Sequence, residues 1–126
     1  MPSSPLDRKQ YVKQLLELYA RTPGTPGRVS RTDRRLALSL YDRGVPLLIL
    51  RKTLLLTCAR RTLRAPEAIP LPSIRSLYYF LPVLEELQTD LPPDTYFDYL
   101  QHKLNRFYLA RTGQPFPCPP WDFPPA

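Results

Sequence analysis

Apolar residues recur at helical spacing in five stretches, separated by breaks marked with proline and glycine, and this predicts an all-α bundle of about five helices. In the first stretch, about Pro5 to Ala20, Val12, Leu15, Leu16 and Tyr19 fall on one stripe. Ser4 is the expected cap, Pro5 suits the first turn, and Asp7 stands where a carboxylate favours a helix N-terminus. The repeated Thr-Pro-Gly within Arg21 to Arg28 then breaks the helix. A second helix is expected after Ser30, with Asp33 completing a capping-box-like pair and Gly44 ending it. Its wheel places Leu36, Ala37, Leu40 and Tyr41 on one face and Arg31, Arg34 and Arg35 on the opposite one.

The third helix, from Pro46 to about Leu63, is apolar in nearly every direction, which predicts a central, buried element. Its polar residues gather at Arg51 to Thr53 and in the last turn, at Arg60, Arg61 and Arg64. Ala65 to Pro72 reads as a connector, and Ser73 as the cap of a fourth helix reaching Gln88, with Ile74, Leu77, Phe80, Leu81, Leu84 and Leu87 on its apolar face. Pro82 lies inside that pattern and should kink or split it, because proline lacks the amide donor and clashes with the preceding turn. A fifth helix, about Pro93 to Arg111, gathers Tyr96, Phe97, Leu100, Leu104, Phe107 and Tyr108 on one side, with Gly113 as its stop. The expected organisation is one orthogonal helical domain over residues 1–113, its third helix central, and an extended proline-aromatic tail over 114–126.

The 126 residues suit a single core, and with 17 prolines against 4 glycines proline does most of the punctuating. The net charge of +7 becomes informative once it is located. Residues 28–64 hold ten basic side chains against Asp33 and Asp42, whereas the rest of the chain is nearly balanced. Nine of the ten are arginine, whose planar fork fits phosphate. Arg28, Arg31, Arg34 and Arg35, extended by Arg60, Arg61 and Arg64, form the candidate nucleic-acid surface, one that would hold phosphates with little sequence preference. An acidic protein partner and a merely solvated face are the competing readings of the same charge.

The helix-turn-helix outline around Arg43-Gly44-Val45-Pro46 is a weaker candidate. A groove-reading helix shows polar side chains at its N-terminal end, and here that end is Pro46-Leu47-Leu48-Ile49-Leu50. The aromatics, Tyr78-Tyr79-Phe80 among them, fit core packing better than base stacking by their spacing. His102 has no partner at metal-ligand spacing, Glu85 and Glu86 diverge on a helix, and no phosphate-cradling glycine loop or nucleophile triad is present, so neither an enzyme nor a cofactor is expected. Cys58 and Cys118 read as free thiols; with no apolar run long enough to span a bilayer, a cytoplasmic protein without a membrane partner is expected. In the tail, Phe116, Trp121 and Phe123 among prolines either dock on a partner's aromatic-lined groove or fold back over the protein's own apolar surface.

Asp33-Arg34-Arg35-Leu36-Ala37, Arg43-Gly44-Val45-Pro46-Leu47 and the run Ile74 to Glu86 resemble small helical proteins encoded near bacterial mobile-element and replication genes. Tyr79, Val83 and Leu87 are distantly similar to the end pattern of the DnaD-like C-terminal helical domain, a Tyr, an aliphatic and a Trp at four-residue intervals. The resemblance implies an accessory role in replication or transposition, either as a DNA-binding factor or as an adaptor beside an ATPase, initiator or nuclease. It assigns no site residue.

Overall fold

A computed structural model describes residues 7–117, which form an all-α bundle. The helices are α1 (Arg8–Arg21), α2 (Arg31–Asp42), α3 (Leu47–Thr62), α4 (Leu81–Thr89) and α5 (Asp94–Thr112), with one 3₁₀ turn at Leu77–Phe80 leading into α4. The N-terminal cap of α1 is Asp7, whose carboxylate accepts the Gln10 amide at 2.8 Å, so the helix starts later than the expected Pro5. The expected cap Ser4 and first-turn Pro5 lie outside the described residues.

The fourth apolar stretch is not one helix from Ser73. Residues 73–76 are irregular, Leu77–Phe80 make the 3₁₀ turn, and Pro82 stands in the first turn of α4. The reason is the missing proline amide: at the start of a helix it costs nothing, because that donor would have no intrahelical acceptor. Pro82 therefore begins a helix where the periodicity alone places its middle.

Two apolar clusters share α3. Its first half joins Val12, Leu15, Leu16 and Tyr19 of α1, Leu36, Ala37 and Leu40 of α2, and Ile74, Leu77 and Phe80. Its second half, through Leu55, Leu56, Cys58 and Ala59, packs on Leu87, Phe97, Leu100, Leu104 and Phe116. Every residue of α3 from Lys52 to Ala59 is buried, as an all-round apolar sequence requires.

Each cluster also has a buried charge beside it. Asp33 is 1% exposed and completes a capping box: its amide donates to Ser30 Oγ at 3.1 Å, and its Oδ2 accepts the Ser30 amide at 3.0 Å. The other oxygen, Oδ1, accepts the Leu77 amide at 2.8 Å, so one side chain ties the start of α2 to the start of the 3₁₀ turn. Beside the second cluster Lys52 of α3, 3% exposed, donates to Asp94 at the start of α5 at 2.8 Å and lies 5.1 Å from the centre of the Phe97 ring.

The connector between α3 and the 3₁₀ turn lacks regular structure and is held through its carbonyls and amides. Arg64 donates to Ile69 O at 2.7 Å and Arg61 to Pro72 O at 2.8 Å. The Ile74 amide donates to Gly24 O at 2.7 Å. Gly24 is needed there because its φ is +92°, a conformation that L side chains rarely adopt. At the α2–α3 turn the Tyr11 hydroxyl donates to Val45 O at 2.7 Å.

Asp33→Ala removes the cap and strands the buried Leu77 amide, so urea denaturation should show a loss of about 2–4 kcal/mol. Burial, and then the charge of Asp33, push the Tyr19 hydroxyl up to about 12, and burial raises Tyr11 as well. The fold thus holds both phenols neutral above pH 10.0, the ordinary tyrosine value at which the unfolded chain gives up these protons, so stability should fall as pH rises past about 10. Helical circular dichroism followed from about pH 9 to 12 checks this.

Candidate nucleic-acid interface

The helical register of α2 makes the inward Asp33 and the outward Arg31, Arg34 and Arg35 consequences of one another. Asp33, Leu36, Ala37 and Leu40 face the core, and Arg31, Arg34 and Arg35 project to solvent on the other side. Arg28, on the loop leading into α2, is exposed as well. None of these four guanidinium groups hydrogen-bonds or ion-pairs with another described residue.

Their crowding is electrostatically unfavourable. The pairs Arg31–Arg34 and Arg31–Arg35 place like charges at helical-neighbour spacing, costing about 0.2–0.5 kcal/mol each. They also stand in the first turns of α2, where the helix dipole is positive and favours anions. Asp33 offsets part of this, but its oxygens are engaged by the Ser30 and Leu77 amides and it faces inward.

Other charges of the basic segment are occupied within the fold. Arg60 makes a forked pair with Glu86 of α4, its Nη1 at 2.9 Å from Oε2. That pairing holds the Glu86 carboxyl below its ordinary range and raises the Arg60 guanidinium. Arg61 donates to the Tyr79 hydroxyl at 2.9 Å as well as to Pro72 O, and it lies 5.3 Å from the centre of the Tyr79 ring. Arg64 is joined to Ile69 O. The structure thus separates Arg28, Arg31, Arg34 and Arg35, which are free, from Arg60, Arg61 and Arg64, which fasten α3 to α4 and to the connector. Lys52 leaves the solvent altogether.

A contribution from α1 escapes the sequence reading. An open groove of about 310 Å³ between α1 and α2 is lined by Arg8, Lys9 and Arg34, with Val12 and Leu38 beneath them. Arg8 also lies 3.6 Å from Asp42 at the far end of α2. Arg8 shares the apolar direction of α1 with Val12, Leu15 and Tyr19, so a helical wheel that extends the stripe to its polar end places it beside α2.

Elsewhere the geometry narrows the chemistry. The burial of Lys52–Ala59 keeps α3 out of any DNA groove, while the first turn of α3 shows solvent little beyond Pro46 and Leu48. No cluster of three or more His, Cys, Asp or Glu residues that could hold a metal occurs among the described residues, and none of the described helices is long and apolar enough to cross a membrane. Phe116 is not on offer to a partner: it is buried, its amide donates to Asn105 Oδ1 at 3.1 Å, and its ring centre is 5.3 Å from that of Tyr108. Trp121 and Phe123 lie outside the described residues.

Replacing Arg31, Arg34 and Arg35 together with glutamine should leave stability unchanged or raise it by up to about 1 kcal/mol, since only repulsion is removed. Arg61→Ala should lower it by about 1–2 kcal/mol as its hydrogen bonds disappear. Urea midpoints of the two variants measure the difference; a triple variant that is the less stable would contradict this division of the arginines. No family model matches the chain, and neither a curated protein nor a solved structure shows significant similarity to it.

Proposed function

We propose that this is a non-enzymatic accessory protein that binds nucleic acid, DNA in preference to RNA, by neutralising phosphates with Arg28, Arg31, Arg34 and Arg35. One observation carries the reading: four exposed guanidinium groups are crowded at the start of α2 without a partner among the described residues. Their mutual repulsion and their position at the positive end of a helix dipole are both relieved when an anion arrives. Arg8 and Lys9 across the groove widen the positive field. Binding is to the backbone rather than to base edges, because arginines on a convex helix face track phosphates while α3 is committed to the core. The resemblance to proteins of mobile-element and replication modules is what favours DNA and a role in replication or transposition beside a larger ATPase, initiator or nuclease.

A second reading has its own support. The apolar floor of the α1–α2 groove, Leu38 and Val12 under Arg8, Lys9 and Arg34, suits an acidic amphipathic helix, as an adaptor in a mobile-element or defence complex would need.

Salt dependence separates the two. For DNA binding, the plot of log affinity against log salt should be steep, and the Arg31/Arg34/Arg35→Gln variant should flatten it by about one unit for each phosphate no longer neutralised, while Arg60→Gln leaves it unchanged. Absence of gel retardation of single- or double-stranded DNA or RNA at low salt overturns the proposal, as does a triple variant with the parental slope.

A further inference from the structure

The sequence places Tyr96 with the core of the fifth helix, yet Tyr96 is 38% and Tyr99 54% exposed. They belong to an outer stripe of α5 that also carries Lys103, Arg106, Phe107 and Arg111, on the flank of the buried face formed by Phe97, Leu100 and Leu104. From Tyr99 onward, rings and cations alternate along it at four-residue intervals. The Tyr96 and Tyr99 rings are stacked, with centres 6.5 Å apart and planes at 27°. The Lys103 ammonium is 5.4 Å from the centre of Tyr99, and the Arg111 guanidinium 4.4 Å from that of Phe107.

Charge is distributed to match. From Tyr99 to Thr112 the helix carries Lys103, Arg106 and Arg111 and no acidic residue. The acidic residues lie at the other end: Asp94 and Asp98 of the helix itself, and Glu86, paired with Arg60, and Asp90, which line a shallow pocket with Tyr96. The helix that bears the stripe packs into the second apolar cluster through Phe97, Leu100 and Leu104, whereas the α2 arginines ride on the helix that packs into the first, so the two surfaces belong to different halves of the bundle.

We infer that this stripe of α5 is a docking surface for single-stranded nucleic acid, with bases stacking on Tyr96 and Tyr99 and Lys103, Arg106 and Arg111 on phosphates. Lysine is the pivot of the arrangement. Its flexible stem lets the ammonium leave the ring for a phosphate, and the Tyr99 face it uncovers takes a base. The stripe from Tyr96 to Arg111 runs about 22 Å at the helical rise of roughly 1.5 Å per residue, room for several nucleotides. A duplex does not fit this chemistry, because its bases are stacked on each other and present no face to a tyrosine. The surface goes beyond the phosphate-neutralising role proposed for α2 and does not rest on it.

The test uses the full chain with a fluorescent oligothymidylate of about 20 nucleotides and a duplex of equal length, together with a 5-iodouracil oligonucleotide for photocrosslinking mapped by mass spectrometry. Tyr99→Ala should weaken single-strand binding roughly 5- to 100-fold and leave duplex binding unchanged, while Tyr99→Phe retains affinity. Crosslinks should fall on Tyr96 or Tyr99, and should persist in the Arg31/Arg34/Arg35→Gln variant even where its duplex binding is lost. The inference is overturned if Tyr99→Ala binds single strands as the parent does, if crosslinks map only to α2 or to residues 118–126, or if no single-strand binding occurs at low salt. It is also overturned if polyglutamate binds as tightly as oligothymidylate with the same sensitivity to Tyr99→Ala, which would make this a surface for an acidic protein.

Discussion

The buried carboxylate of Asp33 is the constraint on which the arrangement of this protein depends. A charge removed from water needs hydrogen-bond donors, and Asp33 finds them in two backbone amides, Ser30 at the beginning of its own helix and Leu77 at the beginning of the 3₁₀ turn. That pairing fixes the rotation of α2 about its axis. With residue 33 turned inward, residues 31, 34 and 35 have only solvent to face, and three arginines become a surface instead of part of a core. The feature that stabilises the first half of the bundle is thereby the feature that presents its charge.

Lys52 has a comparable place in the second half, where a buried ammonium meets Asp94 and the face of Phe97 and draws the start of α5 onto α3. Only the lysine side of this pair is buried, since the Asp94 carboxylate is largely exposed, and removing that carboxylate would leave the Lys52 ammonium stranded in the core. Such pairs discriminate against shifted packings, and here they do so in a helix whose leucines point in every direction and would tolerate several rotations. The apolar sequence of α3 makes it central; Lys52 and its acceptor tell it which way to turn.

Much of the fold is legible in the sequence because helix signals are local. The five apolar stretches, the capping box at Ser30 and Asp33, the proline breaks and the all-round apolarity of α3 all lie within one or two turns of the residues that express them. What the sequence does not disclose rests on contacts between residues far apart. Lys52 meets a carboxylate 42 residues away and Arg60 one 26 residues away, and neither spacing has a sequence signature. Arg61 and Arg64 bind backbone carbonyls, which no side-chain pattern can announce. Phe116 has two open readings in the sequence, and packing against Tyr108 puts it with the core. The candidate site is therefore legible in part: its α2 arginines follow from a helical wheel, but the separation of free from engaged arginines needs the packing of α3 against α4 and the connector, and the arrival of Arg8 and Lys9 that of α1 on α2.

A count of basic residues between 28 and 64 thus becomes a statement about which guanidinium groups are available to a ligand. Side-chain Nε–Hε NMR spectra of arginine, recorded while a short DNA duplex is added at low salt, test that statement most directly. The signals of Arg28, Arg31, Arg34 and Arg35 should shift together and saturate, while those of Arg60, Arg61 and Arg64 stay in place. Shifts centred on Arg60, Arg61 and Arg64 with the α2 arginines unmoved would contradict it.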